Sequence, residues 1–264
     1  MSDWIHSLPI PWMAVVIFGI TYLVAAIVHV VIQSLAVGDR GRAFKAVSPG
    51  LLPPIGIIFG LLVAFIAAQV WGDLDRAYTA VNREASALRD VVILAENFPG
   101  ETARLRGLIR QHIQEVLTQE WPAMAQRRAT IRIIPTSLVQ AMQISLASSV
   151  QGEGQAAAQR AVIAALENAL DARRQRILLS QSEVNAIKWI SLIIQAVCTL
   201  TAIAMVHSDN RTGSRIALGL FATAIAVCVL LITAHDRPFI GQTGVPPTAL
   251  LQSQPDASVD TDGR

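Results

Sequence analysis

Residues 52–71 read LPPIGIIFGLLVAFIAAQVW, a stretch with no charged side chain. About 20 apolar residues in helical form cross a hydrocarbon core of ~30 Å, so this stretch reads as a transmembrane helix. Three more apolar stretches of similar length, 11–35, 187–207 and 216–234, turn that single span into two hairpins. Between the hairpins lies a polar, helix-rich block. The organisation expected is a first transmembrane hairpin over 1–71, a helical aqueous domain over 72–186, a second hairpin over 187–234 and a tail over 235–264. The fold class is all-α: a membrane protein with four transmembrane helices and a helical extramembrane domain, into which spans two and three continue as long helices.

Composition agrees, because 53% hydrophobic and only 15% charged residues suit a chain that exposes much of itself to lipid. A formal charge of +2 excludes the strongly basic balance that nucleic-acid binding needs, and no nucleic-acid partner is expected. Cys198 and Cys228 both fall within spans, where they read as small hydrophobes. Trp4, Trp12, Trp71 and Trp189 lie near span ends, where an indole ring suits the interface. The N-terminus has no basic n-region or cleavage signature, so 11–35 is expected to be retained.

Following the chain outward, 38–50 carries Arg40, Arg42 and Lys45, ends on Ser48, Pro49 and Gly50, and reads as a turn. No proline follows Pro54 until Pro99, so one helix is expected from Leu52 to about Asn97. Phe98-Pro99-Gly100-Glu101 is a stop and restart. An amphipathic helix is expected from Thr102 to about Glu120 with Leu105, Leu108, Ile109, His112, Val116 and Leu117 inward, interrupted at Trp121-Pro122. Another is expected over 137–150, and a second proline-free stretch runs from Gln155 to His207. The tail after Gln242 is too polar to bury a core and is expected to end in disorder.

No catalytic constellation, cofactor motif or metal-binding pattern stands out. There is no P-loop, G-x-S-x-G or H-E-x-x-H. His112 and Glu115 reverse the order of a di-iron E-x-x-H pair and have no second copy, so they read as ordinary helix surface. His29, inside span one, reads as a helix–helix hydrogen bond rather than a proton relay.

Span two carries the more informative pattern. At 100° per residue, Gly56, Gly60 and Ala67 share one side with Ala64 adjacent, a small-residue stripe that admits a neighbouring helix. On the opposite side Ile58, Leu62, Phe65 and Gln69 fall together, and extending that line brings Asp73, Arg76, Arg83 and Asp90 onto it. An apolar constriction leading into charged rings is what a helix-lined pore requires when several copies surround an axis. Lipid contact accounts for the three bulky apolar residues equally well and for Gln69 less well.

Several further segments carry a family resemblance: Asp75-Arg76-Ala77 through Glu84-Ala85-Ser86-Ala87-Leu88-Arg89; Glu120-Trp121-Pro122-Ala123-Met124; Leu170-Asp171-Ala172-Arg173-Arg174-Gln175-Arg176; and Asp236-Arg237-Pro238-Phe239-Ile240-Gly241. Together they resemble the bestrophin-like domain family, uncharacterised proteins distantly similar to bestrophin channels, over about residues 10–250. The resemblance implies a pentameric, four-span ion channel with a cytosolic helical domain and an apolar neck on span two, a role that only Ile58, Leu62 and Phe65 can inherit. It implies small ions, the lipid bilayer and further copies of the chain as partners, and a multi-pass location in the cell membrane, the bacterial inner membrane. The acidic calcium clasp of animal bestrophins has no counterpart here. The positive-inside rule is balanced, since Arg40, Arg42, Lys45, Arg211 and Arg215 in the turns oppose Arg76, Arg83, Arg89, Arg173, Arg174, Arg176 and Lys188 at the domain flanks. The alternative is a non-conducting membrane scaffold or sensor whose helical domain binds a partner.

Overall fold

The computed structural model describes residues 3–6, 8–98, 100–149 and 151–255. Among these the secondary structure is helical throughout: α1 (Asp3–His6), α2 (Ile10–Leu35), α3 (Asp39–Leu94), α4 (Thr102–Glu115), α5 (Trp121–Ala125), α6 (Thr136–Ala147), α7 (Glu153–Leu179), α8 (Ala186–Val206), α9 (Arg211–His235) and α10 (Thr248–Gln252). Four of them, α2, the stretch Pro49–Asn97 that includes most of α3, α8 and α9, are long and apolar enough to cross a membrane. The protein is therefore an all-α, multi-pass membrane protein. A helix suits lipid because every interior backbone group is satisfied within its own segment.

The chain divides into two compact units: Met1–Gly72 with Glu183–Thr243, and Asp73–Ser182 with Gly244–Arg264. In the first, the membrane unit, Ala25 and Ile32 of α2, Phe59, Ile66 and Val70 of α3, Leu192 and Leu200 of α8, and Leu218 and Ile225 of α9 form one apolar cluster. Phe59 and Phe221 meet with ring centroids 5.8 Å apart. A hydrogen bond joins α2 to α9, where His29 Nδ1 lies 3.0 Å from Ser214 Oγ, the helix–helix bond the sequence suggests. Gln195 donates Nε2 to the Ile55 carbonyl at 3.0 Å.

In the second, extramembrane unit, one side of α3 is buried at Ala77, Val81, Leu88 and Val91. Leu105, Leu108, Ile109, His112 and Val116 are buried as the 3.6-residue period requires, and Leu117 is half-buried. Helix α6 packs on both α4 and α7. Gly100 links α3 to α4 at φ +97°, a left-handed conformation that side chains resist.

Several expectations are corrected. The 38–50 turn shrinks to 36–38, because α3 already begins at Asp39 and carries Pro49, Pro53 and Pro54 inside it. Phe44, packed against the membrane core, favours helix there. Span three does not continue α7: α7 ends at Leu179 and α8 starts at Ala186. Asn185 caps α8, its side chain accepting from Ile187 N at 3.0 Å, which stops the helix without proline or glycine. Trp121-Pro122 does not interrupt the chain's helical path, because Pro122 occupies the first turn of α5, where its missing N–H costs least. The deviation lies just before, in a π-helical turn at Val116–Glu120.

Trp189 is 5% exposed and sits in the membrane unit's apolar cluster rather than at an interface, whereas Trp4, Trp12 and Trp71 are exposed. The tail buries more than its polarity suggests: Val245 and Leu250 are core residues, and Pro255 O accepts from Arg110 Nε and Nη2 at 3.3 and 3.2 Å. The expected disorder at its end, 256–264, and the helix end at Val150 lie outside the described residues.

Candidate functional site

Two constellations combine polar or unpartnered surface with defined geometry, one in each unit. The first is the membrane part of α3. Phe59, Ile66, Ala67 and Val70 point into the apolar cluster, while Ile58 and Phe65 point out. Phe65, at 72%, is the most exposed large apolar side chain among the described residues.

Of the other pore candidates, Leu62 packs partly against the core, and Gln69 is half-buried and accepts from Lys188 Nζ. Leu61, passed over in the sequence, is 54% exposed and lies within about 60° of Ile58 and Phe65 around the helix. The small-residue stripe is divided as well: Ala67 is buried and Gly56 half-buried, whereas Gly60 and Ala64 are exposed. A Cβ at Gly56 or Gly60 would meet nothing within 4 Å, so space for another helix remains on that side. In the extramembrane unit, Asp73 is buried and paired with Arg76, while Arg83 and Asp90 are exposed.

The second constellation is a charge network inside the extramembrane unit, at residues beyond the 52–71 span. Glu84 of α3 and Arg176 of α7 are both fully buried. Arg176 donates Nε to Glu84 Oε2 at 2.6 Å and Nη2 to Glu84 Oε1 at 3.1 Å, the two-pronged geometry a guanidinium offers a carboxylate. The same Nη2 donates to Glu120 Oε2 at 2.9 Å, and Nη1 lies 3.3 Å from Met124 Sδ. The guanidinium carbon sits 5.5 Å from the centre of the Trp121 ring, close enough for a cation–π contact. Arg173, one turn earlier, donates Nε to Glu120 Oε1 at 2.8 Å and Nη2 to the Ile133 carbonyl at 3.0 Å. His112 closes the network, its Nε2 3.4 Å from Glu84 Oε1 and its Nδ1 buried without a partner among the described residues.

The electrostatics are internally balanced. Burial pushes the Glu84 carboxyl up, but Arg176 and the His112 contact outweigh it and bring the pKa down to about 2. Burial likewise works against the Arg176 charge, and Glu84 and Glu120 reverse that effect, raising its pKa. Two carboxylates face two guanidiniums, so the network adds no net charge. His112 is thus core, as its place on the inward stripe of α4 suggests and against its reading with Glu115 as helix surface, while Glu115 turns aside to accept from Ser137 Oγ at 3.2 Å. Among the described residues no group of three metal-ligating side chains converges.

The Asp236–Gly241 segment is a clasp within the membrane unit. Asp236 Oδ1 accepts from Val184 N at 2.7 Å, and Oδ2 lies 3.8 Å from His6 Nε2. It ties the chain entering α8 to the chain leaving α9. Gly241 adopts φ +79° with the His6 carbonyl 3.2 Å from where a Cβ would stand.

The family model of the Bestrophin-like domain matches residues 19–250, most of the chain, taking in the last three spans whole and the greater part of the first. No curated protein and no solved structure matches it.

Proposed function

The chain belongs to the bestrophin-like family, and from that premise we propose that it is a homo-oligomeric, pentameric ion channel with its neck on α3. The observation that carries the reading is the outward strip Ile58–Leu61–Phe65, large apolar side chains on a span whose opposite face is packed in the core. In this reading the strip faces the oligomer axis, and the open side at Gly56, Gly60 and Ala64 receives the neighbouring copy. An apolar ring gates by dewetting, and the charged turns that follow along α3 set the local ion concentration. Asp73 offsets Arg76 by pairing, so Arg83 and Asp90 are the exposed vestibule charges of opposite sign. The helical unit lies in the cytosol, as the family resemblance favours.

The test is flux through purified protein in liposomes, with oligomer mass measured in parallel. Small ions are expected to pass, and Phe65→Ala and Leu61→Ala to raise the leak several-fold. A monomer, or flux no greater than in empty liposomes, would refute the channel. A second reading, a membrane scaffold or sensor, draws on the loop of the helical unit where Ile131, Ile133 and Ile134 stand 46%, 67% and 62% exposed. Contiguous apolar exposure of this kind marks partner surfaces. It predicts full tolerance at Phe65 and loss of partner capture in Ile133→Asp.

A further inference from the structure

The membrane unit carries a second feature that pore formation does not use. A groove of about 380 Å³ lies between α2 and α9. Its walls are Ala26, Val30, Leu218 and Gly219, and His29 and Arg215 stand along it. Arg215 is exposed and has no acidic partner among the described residues, although the groove beside it is apolar at Val30 and Leu218. The two acids at this end are already engaged, Asp209 with Lys45 at 2.6 Å and Asp39 with Arg42. Arg211, one helical turn before Arg215, likewise has no acidic partner among the described residues. An uncompensated pair of guanidiniums therefore borders a greasy groove on a surface that meets lipid.

The groove has a direction. Arg215 lies one turn inside the start of α9, Gly219 another turn deeper, and at the next turn Tyr22 Oη and Thr223 Oγ1 meet at 2.7 Å across its inner end. From Arg215 to Thr223 the rise is about 12 Å. His29, held by Ser214 through Nδ1, leaves its other ring nitrogen without a partner among the described residues. Gly219 keeps the wall low, since a Cβ there would meet nothing within 4 Å.

We propose that this groove binds one anionic phospholipid per chain, its phosphate on Arg215 and Arg211 and an acyl chain along Ala26, Leu218 and Gly219. A phosphate accepts bidentate hydrogen bonds from guanidinium, and basic pockets between membrane helices select anionic head groups. The occupant is a lipid rather than soluble phosphate because the walls beyond the cations are almost wholly apolar and can hold only a hydrocarbon tail. The site is separate from the outward strip of α3, and its existence does not depend on conduction.

The experiment is native mass spectrometry of the full chain in detergent, titrated with phosphatidylglycerol or with phosphatidylcholine of the same acyl chains. One saturable phosphatidylglycerol per chain is expected, bound at least tenfold more tightly than phosphatidylcholine by the contribution of two basic side chains. Arg215→Gln is expected to weaken phosphatidylglycerol about fivefold and to leave phosphatidylcholine unchanged. Arg215→Lys, which keeps the charge but not the two-pronged fork, should weaken phosphatidylglycerol less than Arg215→Gln does. Gly219→Leu, whose Cβ meets no other protein atom within 4 Å and whose branch adds bulk at the groove, should weaken both lipids. Equal affinity for the two lipids would overturn the proposal, as would phosphatidylglycerol binding unaffected by Arg215→Gln or by Gly219→Leu. Competition by glycerol 3-phosphate as strong as by phosphatidylglycerol would also overturn it, showing a site for soluble phosphate. Unchanged helical melting separates loss of the site from loss of the fold.

Discussion

The membrane unit and the extramembrane unit distribute polarity in opposite ways. The first presents Phe65, Leu220 and Ile187 on its surface, each at least 70% exposed, and its described helix–helix polar contacts are single hydrogen bonds such as His29 with Ser214. The second buries Glu84, His112 and Arg176 at its centre. The difference follows from the two solvents. Lipid is as apolar as a protein core, so large apolar side chains gain nothing by turning inward, and helices associate through packing and isolated polar contacts. In water burial is driven by apolar area, and a charge goes along only when a partner of opposite sign goes with it.

That contrast can be broken most severely at the network. Glu84→Gln leaves Arg176 buried against a neutral partner, and a loss of about 3–5 kcal/mol is expected, enough to unfold the extramembrane unit in a thermal melt followed by circular dichroism. Replacing both partners, Glu84→Met with Arg176→Met, should cost less than either single change, since no unpaired charge remains. A double variant as unstable as the two single losses combined would mean that the pair shapes the fold beyond its charges.

Acid gives the next largest effect. Glu84 titrates at about 2 in the folded state against an ordinary 4.5, so the unfolded chain takes up the proton first. Its stabilisation, on the order of 3 kcal/mol, is complete above pH ~4.5 and is lost as the pH falls towards 2. Melts across that window should show the extramembrane unit weakening and Glu84→Gln, where it folds, much less affected.

The membrane unit should respond more mildly. Ser214→Ala removes the α2–α9 hydrogen bond and is expected to cost about 0.6 kcal/mol, the usual worth of such a bond between membrane helices. A loss several times larger would show that its polar contacts count for as much as those of the network. Smallest of all, Lys45→Ala breaks an exposed pair with Asp209 and should leave the melting temperature where it was.

What the sequence could reveal follows the same division. Spans are legible because length and apolarity are local properties, and so is the inward face of α4, where period alone picks out Leu105, Ile109 and Val116. The break before α8 was hidden because its signal is one capping residue, Asn185, with no proline or glycine beside it. Leu62 and Gln69 could not be separated from Ile58 and Phe65 by helical phase alone, since which neighbour covers a face is a tertiary matter. The charge network joins residues as far as 92 positions apart, beyond any spacing rule. One signal was present: Arg173 and Arg176 fall on the stripe Val162, Leu166, Ala169, and Glu84 falls on Ala77, Val81, Leu88 and Val91. A charge on an otherwise apolar helical face asks for a partner, and here each asks for the other.

The separation of Glu84 from Arg176 also has a meaning in time. A ribosome adding roughly 5–20 residues per second needs about 5–20 s to travel from one to the other, so the carboxylate emerges long before its guanidinium exists. The first hairpin waits longer still, because Glu183–Thr243 of its unit is made after the intervening stretch Asp73–Ser182. During synthesis the first hairpin is therefore an incomplete object, with the Phe59, Ile66 and Val70 face still lacking α8 and α9. Lipid covers that apolar face as well as protein does, so the first hairpin can wait in the bilayer until the last two spans arrive.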